Sequence, residues 1–390
     1  MQFIGIKILK LQIIRKIKEK TKEDFIIMLS KKNKGITLVA LVITIIILLI
    51  LAGISISALT NTGIFQKAKD AKQKSADAEL DQNTKLDSYE EEISNYLPPD
   101  VKQAIKKGKP LSTDKNTEIV DEKGNKIVIP AGFKVTGEAT TVDKGIVIED
   151  ATSGATAGSQ FVWVPVGKIT KADGTETEIK LNRYTFASDG TPTEKNEEVI
   201  SNYYQELATS NKGNTVAKNI TNFKNSVNAK GGYYIGRYEA RKNTTSGKLT
   251  EVNRDSVWNN ITQPDAATQA RNMYDEQQPF TSDLMNSYAW DTAITFIQKC
   301  TDKTNYANQT RLNTSFSSTG TTNDNPCNIF DMASNVREWT TETCSFSGVP
   351  CIGRGGNYVH STFFTSRRDC YNTSSSGNDF GFRPLLYVNV

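Results

Sequence analysis

Asn328-Ile-Phe-Asp-Met-Ala-Ser-Asn-Val-Arg-Glu-Trp-Thr340 is the stretch whose reading decides the fold. It reads as a tight polar loop running into a strand, with Trp339 in the core. On the plainest view Asp331 and Glu338 satisfy turn amides. Five further segments surround it in a fixed order. Phe161-Val-Trp-Val-Pro-Val166, Tyr234-Ile-Gly-Arg-Tyr-Glu239 and Trp290-Asp-Thr-Ala293 precede it. Arg354-Gly-Gly-Asn-Tyr358 and Gly381-Phe-Arg383 follow.

Outward from these segments the pattern is one of short strands and a few helices. Lys126-Ile-Val-Ile129, Gly145-Ile-Val-Ile148, Phe161–Val164 and Tyr233–Tyr238 are strand-like runs bounded by Gly, Pro and Asn. Glu194–Leu207 and Ala217–Ala229 read as helices. Tyr288–Cys300 reads as an amphipathic helix with Trp290, Ile294 and Ile297 on one face. Ser/Thr/Asn-rich loops fill 301–326. The pattern predicts an α+β domain. The net charge of +4 is spread along the chain without a basic, aromatic-interleaved patch. Nucleic acid is therefore not an expected partner.

In this order the six segments resemble the formylglycine-generating enzyme, or sulfatase-modifying factor, family over residues 158–386. The resemblance implies a C-type-lectin-like fold. Catalytic members of that family use two cysteines shortly after the Arg-Gly-Gly segment, which hold copper as thiolates. Alignment on Arg354-Gly-Gly356 places His360 and Thr365 there. A soft Cu(I) site needs thiolates. The expectation is therefore a non-catalytic member with no copper. The competing reading is a sulfatase-modifying oxidase. The resemblance also implies a structural Ca²⁺, held by the side chains of Asp331 and Glu338 and the carbonyls of Ser334 and Val336, since hard oxygen donors on a tight loop suit that ion.

All five cysteines lie between residues 300 and 370. Cys344 and Cys351 flank a hairpin-like turn and are placed to pair across two strands. Cys370 occupies a position that is disulfide-bonded in some relatives, with Cys300 or Cys327 as candidate partners. Five buried thiols is the plainer alternative. The window Asn357–Asp379 is dense in Asn, Tyr, Ser, Thr, Phe, His and Asp, and holds no Lys, Glu, Gln, Met or Trp. Short polar groups beside aromatics make an adaptable recognition surface. The expected ligand-binding residues are Asn357, Tyr358, His360, Phe363, Phe364, Asp369, Tyr371 and Asn372. The window resembles the variable region of lectin-fold proteins diversified by retroelements.

At the other end, Ile36–Leu59 is apolar without charge or proline. At 1.5 Å per residue it makes a helix of about 36 Å, long enough to cross a bilayer. Lys31-Lys32-Asn33-Lys34-Gly35 precedes it, so the C-terminal side is expected outside the cell. Gly35-Ile-Thr-Leu-Val-Ala-Leu41 resembles the cleavage motif of type IV prepilins and pseudopilins. That implies cutting between Gly35 and Ile36 by a prepilin peptidase and assembly with other pilin subunits. Ala40 stands where that family usually has glutamate, which suits a minor or tip subunit.

The expected organisation is a basic leader over 1–35, starting at Met28 in its short form, and a prepilin-type transmembrane and extended helix over 36–97. A short β-rich connecting region over 98–157 and the sulfatase-modifying-factor-like domain over 158–390 follow. Together these features predict a single-pass protein of the cell membrane with an extracellular domain, displayed at the surface or at a pilus tip. It would bind an unidentified protein or glycan in the manner of an adhesin. A purely structural minor pseudopilin is the remaining alternative. Mass spectrometry of the mature protein, from cells holding a prepilin peptidase, should find Ile36 at the N-terminus. An intact N-terminus at Met1 or Met28 would refute this.

Overall fold

The computed structural model describes residues 42–47, 63–94, 99–195, 199–200, 203–210, 212–243, 249–250, 256–274 and 276–390. The chain divides into two compact units, Met1–Glu92 and Ile93–Val390. In the first, residues 42–47 are helical and expose Val42, Ile43, Ile45, Ile46 and Ile47. Helix α1 is Gly63–Ser94. The rest of the apolar run, with the Gly35–Ile36 junction, lies outside the described residues. No helix among the described residues is long and apolar enough to cross a membrane.

The second unit begins with helix α2, Val101–Lys107, capped by the Asp100 carboxylate, which accepts from the Gln103 amide at 2.6 Å. Two six-stranded sheets follow. Their strands are β1 Phe133–Thr136, β2 Val147–Asp150, β3 Gln160–Pro165, β4 Val199–Ile200, β5 Tyr204–Gln205, β6 Gly232–Gly236, β7 Phe280–Leu284, β8 Arg337–Cys344, β9 Cys351–Arg354, β10 Arg368–Tyr371, β11 Phe380–Phe382 and β12 Pro384–Val388. The first sheet runs β7-β12-β6-β3-β2-β1 and is antiparallel throughout. The second runs β4-β5-β8-β9-β10, with β11 parallel to β8. Strands β3, β6 and β12 are buried almost residue for residue, and they read as near-continuous apolar runs.

Helix α3 is Ile220–Lys230, α4 is Gln263–Arg271 and α5 is Ser287–Cys300. Helices α4 and α5 touch both sheets and fill the space between them. The Asn286 side chain caps α5 by accepting from the Ala289 amide at 2.9 Å. This helix is not amphipathic in place. Only Gln298 and Lys299 near its end reach solvent, because both sheets cover it. Its buried Asp291, Thr292 and Thr295 side chains are all hydrogen-bonded, as burial demands.

Several expectations are corrected. Glu194–Leu207 is not a helix. It holds the end of strand Pro192–Lys195, then β4 and β5. Tyr204 and Gln205 pair with Cys344 and Thr343, so sheet pairing overrides a local Glu/Lys pattern. Strand β2 starts at Val147 rather than Gly145. Residues Val142–Lys144 form a 3₁₀ turn, and Gly145, at φ +77°, lies against the Cys327 carbonyl. The 98–157 region is no separate connector, since β1 and β2 belong to the first sheet. Cys344 bonds Cys370, not Cys351. Thr343 faces Cys351 across β8 and β9, so neighbouring Cys344 points to the opposite face. Cys300, Cys327 and Cys351 are buried free thiols.

Trp163, Trp290 and Trp339 are fully buried. Trp339 stacks on Phe380 at 4.4 Å and donates its indole N–H to the Ile261 carbonyl at 2.8 Å. Trp339→Ala should cost roughly 3–5 kcal/mol in denaturant unfolding. A loss under about 1 kcal/mol would place Trp339 outside the working core.

Candidate functional site

The surface carrying residues 357–372 is built on a buried ion lattice. Glu342 of β8 accepts from Arg183 at 2.6 Å, Arg354 at 3.0 Å and Arg368 at 2.8 Å. Asp291 of α5 accepts from Arg354 at 2.6 Å and also pairs with Arg368. Arg183, Arg354, Asp291 and Glu342 are fully buried, and the Arg368 side chain nearly so. Burial works to raise the Glu342 pKa. Arg368, Arg354 and Arg183 overcome it and hold the carboxyl at about 2. For Arg368, burial works to lower the pKa but Asp291 and Glu342 raise it above the usual guanidinium value. Three guanidiniums thus meet two carboxylates.

The Arg-Gly-Gly segment leaves β9 pressed against the turn that precedes β8. A Cβ on Gly356 would sit 2.0 Å from the Ala333 carbonyl oxygen, and one on Gly355, at φ +85°, 2.6 Å from that of Met332. Only glycine permits this approach. The chain then turns outward through 358–364. The His360 and Phe363 rings stack at 4.4 Å. The Arg367 guanidinium lies 3.9 Å from the Phe363 centroid and Arg337 lies 5.1 Å from it. Arg337 also pairs with Asp379 and with the Tyr371 hydroxyl. Beside this stack lies a cleft of about 440 Å³, lined by Phe364, Ser366, Arg367, Arg368 and Asp369, with Thr185, Phe186 and Tyr204 opposite.

The expected ligand residues divide. Tyr358, His360, Phe363, Phe364 and Asp369 reach the surface, and Phe364 and Asp369 line the cleft. Asn357 does not. It is fully buried, donates to Asp379 at 2.9 Å and accepts from the His360 amide at 2.7 Å. Tyr371 is half-buried against Trp339 and Phe380, so it belongs to the core margin. Asn372 is exposed and caps its own turn through the Ser374 amide at 3.0 Å. Sequence reading missed Arg337, Arg367 and Arg368, and the Thr185–Tyr204 wall. Arg367-Arg368 was a visible signal, two adjacent like charges in a window with no other Lys or Arg.

Neither copper nor calcium fits the groups present. His360 is exposed, and Thr365 is buried, accepting from Trp290 through its carbonyl at 2.9 Å. This imidazole and hydroxyl do not replace two thiolates. The free thiols are buried, and burial pushes Cys300 and Cys351 up to about 12. At the expected calcium turn, both Glu338 oxygens are taken by Arg383, at 2.6 and 3.0 Å. Val336 donates its amide to Glu239 at 2.9 Å, and Ser334 accepts from Leu312 at 3.0 Å. Asp331 accepts from Thr322 through one oxygen, and the other has no partner among the described residues. Apart from the Ser334 and Val336 carbonyls, the turn thus offers a Ca²⁺ ion one free carboxylate oxygen, short of a shell of six to eight. No group of three or more His, Cys, Asp or Glu side chains placed to hold a metal occurs among the described residues.

Fold and site together define a mixed helix-and-sheet scaffold with a buried ion lattice under a solvent-facing aromatic and guanidinium surface. The chain belongs to the sulfatase-modifying factor enzyme 1-like domain family, whose model matches residues 156–386, more than half of its length. Similar solved structures are CarF, PvdO from Pseudomonas aeruginosa and the Major Tropism Determinant I1 variant. CarF is 15% identical over 41% of this chain and 87% of its own, at a TM-score of 0.29. PvdO is 11% identical over 59% and 95%, at 0.33. The tropism determinant is 11% identical over 75% and 99%, at 0.27. These likenesses are too distant to transfer residue roles. No curated relative matches the chain.

Asp331 gives a pH test. Burial raises its pKa from 3.8 to about 7, with nearby Asp324 and Glu338 adding and Thr322 and Arg383 opposing. A raised carboxyl contributes most stability below its unfolded pKa and loses it as pH rises through the folded one. Asp331→Asn keeps an acceptor for Thr322 and tolerates the φ of +67°. It should stabilise the fold by about 1–3 kcal/mol at pH 8, with the gain shrinking toward pH 5. A pH-independent difference in melting would refute the buried anion.

Proposed function

We propose that this protein is a surface-displayed, adhesin-like binding protein whose family domain is a non-catalytic head. The observation that carries the reading is the solvent-facing stack of His360, Phe363 and Arg367 beside an open cleft, with His360 and Thr365 where the resemblance expects thiolates. Large apolar and planar groups held half-exposed on a rigid floor are what a binding surface needs. The apolar run with its basic flank supports a single-pass anchor in the cell membrane. Its Gly35–Ile36 junction supports processing by a prepilin peptidase and placement among pilin subunits, at a pilus tip. The Cys344–Cys370 bond suits an extracellular setting.

Purified full-length protein, supplied with copper, should leave a cysteine-bearing sulfatase peptide unconverted. Aldehyde product would overturn the non-catalytic reading. Bacteria displaying the chain should be retained on at least one surface in a panel of immobilised glycoproteins and peptides. His360→Ala should reduce retention while changing stability by less than about 0.5 kcal/mol. Retention equal to that of cells lacking the protein on every surface would overturn the binding reading.

A further inference from the structure

The cleft beside the stack has a polarity that narrows its ligand. Phe186, Tyr204 and Phe364 supply half-buried rings. Between them Arg367 Nε donates to Asp369 Oδ2 at 2.7 Å, with the two side chains 32% and 22% exposed. Among the described residues this is the one hydrogen bond found for either side chain. The η nitrogens of Arg367 and Oδ1 of Asp369 are therefore left for solvent or a ligand. Arg368 below is satisfied by Glu342, Asp291 and the Tyr184 carbonyl. The opening thus offers a donor fork and an anionic acceptor side by side, between aromatic faces.

A carboxylate or phosphate ligand would meet Asp369. An ammonium ligand would meet Arg367, with Arg368 beneath it. A wholly apolar ligand would strip water from both charges without replacing it, which costs more than the rings return. A neutral ligand with adjacent hydroxyls avoids all three penalties. One hydroxyl accepts from the guanidinium while its neighbour donates to the carboxylate, and the C–H face of the ring lies on an aromatic side chain. Charge-assisted bonds of this type are the stronger class, and a cleft of about 440 Å³ has room for a mono- or disaccharide.

We infer that the Phe186–Tyr204–Phe364 cleft, with the Arg367–Asp369 couple, is a binding site for a neutral saccharide. The inference rests on the binding reading given above and names the ligand class of that surface. The test uses full-length protein in detergent and methyl glycosides and disaccharides of glucose, galactose, mannose and N-acetylglucosamine. Saturation-transfer NMR and calorimetry read binding, with methyl glucuronide as the anionic comparison. At least one neutral sugar should bind, and the glucuronide should bind more weakly than its neutral parent. Phe364→Ala and Asp369→Ala should each weaken that sugar about tenfold or more with melting unchanged. The proposal fails if no neutral sugar binds, if neither folded variant weakens binding, or if the glucuronide binds more tightly than its parent. A peptide selected on the wild-type protein and lost on His360→Ala, with no sugar bound, would sink the saccharide proposal alone. Loss of both would sink the binding reading as well.

Discussion

The lattice of Arg183, Arg354 and Arg368 around Glu342 and Asp291 is the constraint on which the rest of the domain depends. It joins the strand Arg183–Phe186, helix α5 and strands β8, β9 and β10 through side chains with almost no solvent contact. Removing such charges from water costs several kcal/mol each, and mutual attraction recovers it only if every partner stays in place. The lattice is therefore better understood as a device for geometry than for stability. A one-residue slip of β10 would turn Arg368 outward and drive Asp369 inward. The uncompensated carboxylates left behind would forbid that register. The position of the cleft residues Phe364, Arg367 and Asp369 follows from this restriction.

Much of the scaffold was legible because its signals are local. Lys126–Ile129 and Phe161–Val164 alternate or run apolar between turn residues and form strands at those positions. Ile220–Lys230 and Ser287–Cys300 carry helical spacing and Asn caps. What was not legible is set by distant partners. Glu194–Leu207 reads as a helix, yet the pairing of Tyr204 and Gln205 with Cys344 and Thr343 makes its end strand. The same holds for the site. A half-exposed aromatic window could be located from composition, but which of its members face inward depends on strand alternation that no window average contains. Tyr371 was misplaced for that reason, Asn357 because its loop turns it onto Asp379, and the lattice arginines were missed because their carboxylates lie up to 159 residues away.

The turn before β8 shows a second, different solution to buried charge. Glu239, Asp324, Asp331 and Glu338 are all buried there, near a single guanidinium, Arg383. Glu338 takes Arg383 in a bidentate pair. Glu239 and Asp324 are satisfied by the amides of Val336 and Ala333, and Asp324 by the Tyr306 hydroxyl at 2.7 Å. Arg383 also donates to the Gly236 and Phe330 carbonyls, which closes β12 onto the first sheet. The positive charge that a cation would bring to such a turn is thus supplied from within the chain. Asp331 is the member left over, and burial raises its carboxyl to about 7.

These two buried systems separate stability from recognition within a single stretch of chain. Between 357 and 372, Asn357, Thr365, Ser366 and the lattice side chain of Arg368 hold the scaffold. Val359–Thr362 and Asn372 are exposed, and the half-exposed Phe363 and Phe364 flank them. Exposed positions tolerate substitution within about 0.5 kcal/mol, whereas breaking a buried polar pair costs several times that. Variation that preserves the fold is therefore confined to the outward turn and the cleft rim. Asn357 is the asparagine that such variation must spare, because its amide is shared between Asp379 and the His360 backbone. Asn372, exposed and with its side chain bonded only within its own turn among the described residues, is free to change. The physical layout thus permits a variable ligand surface, but one whose limits are drawn by the same buried groups that give the domain its shape.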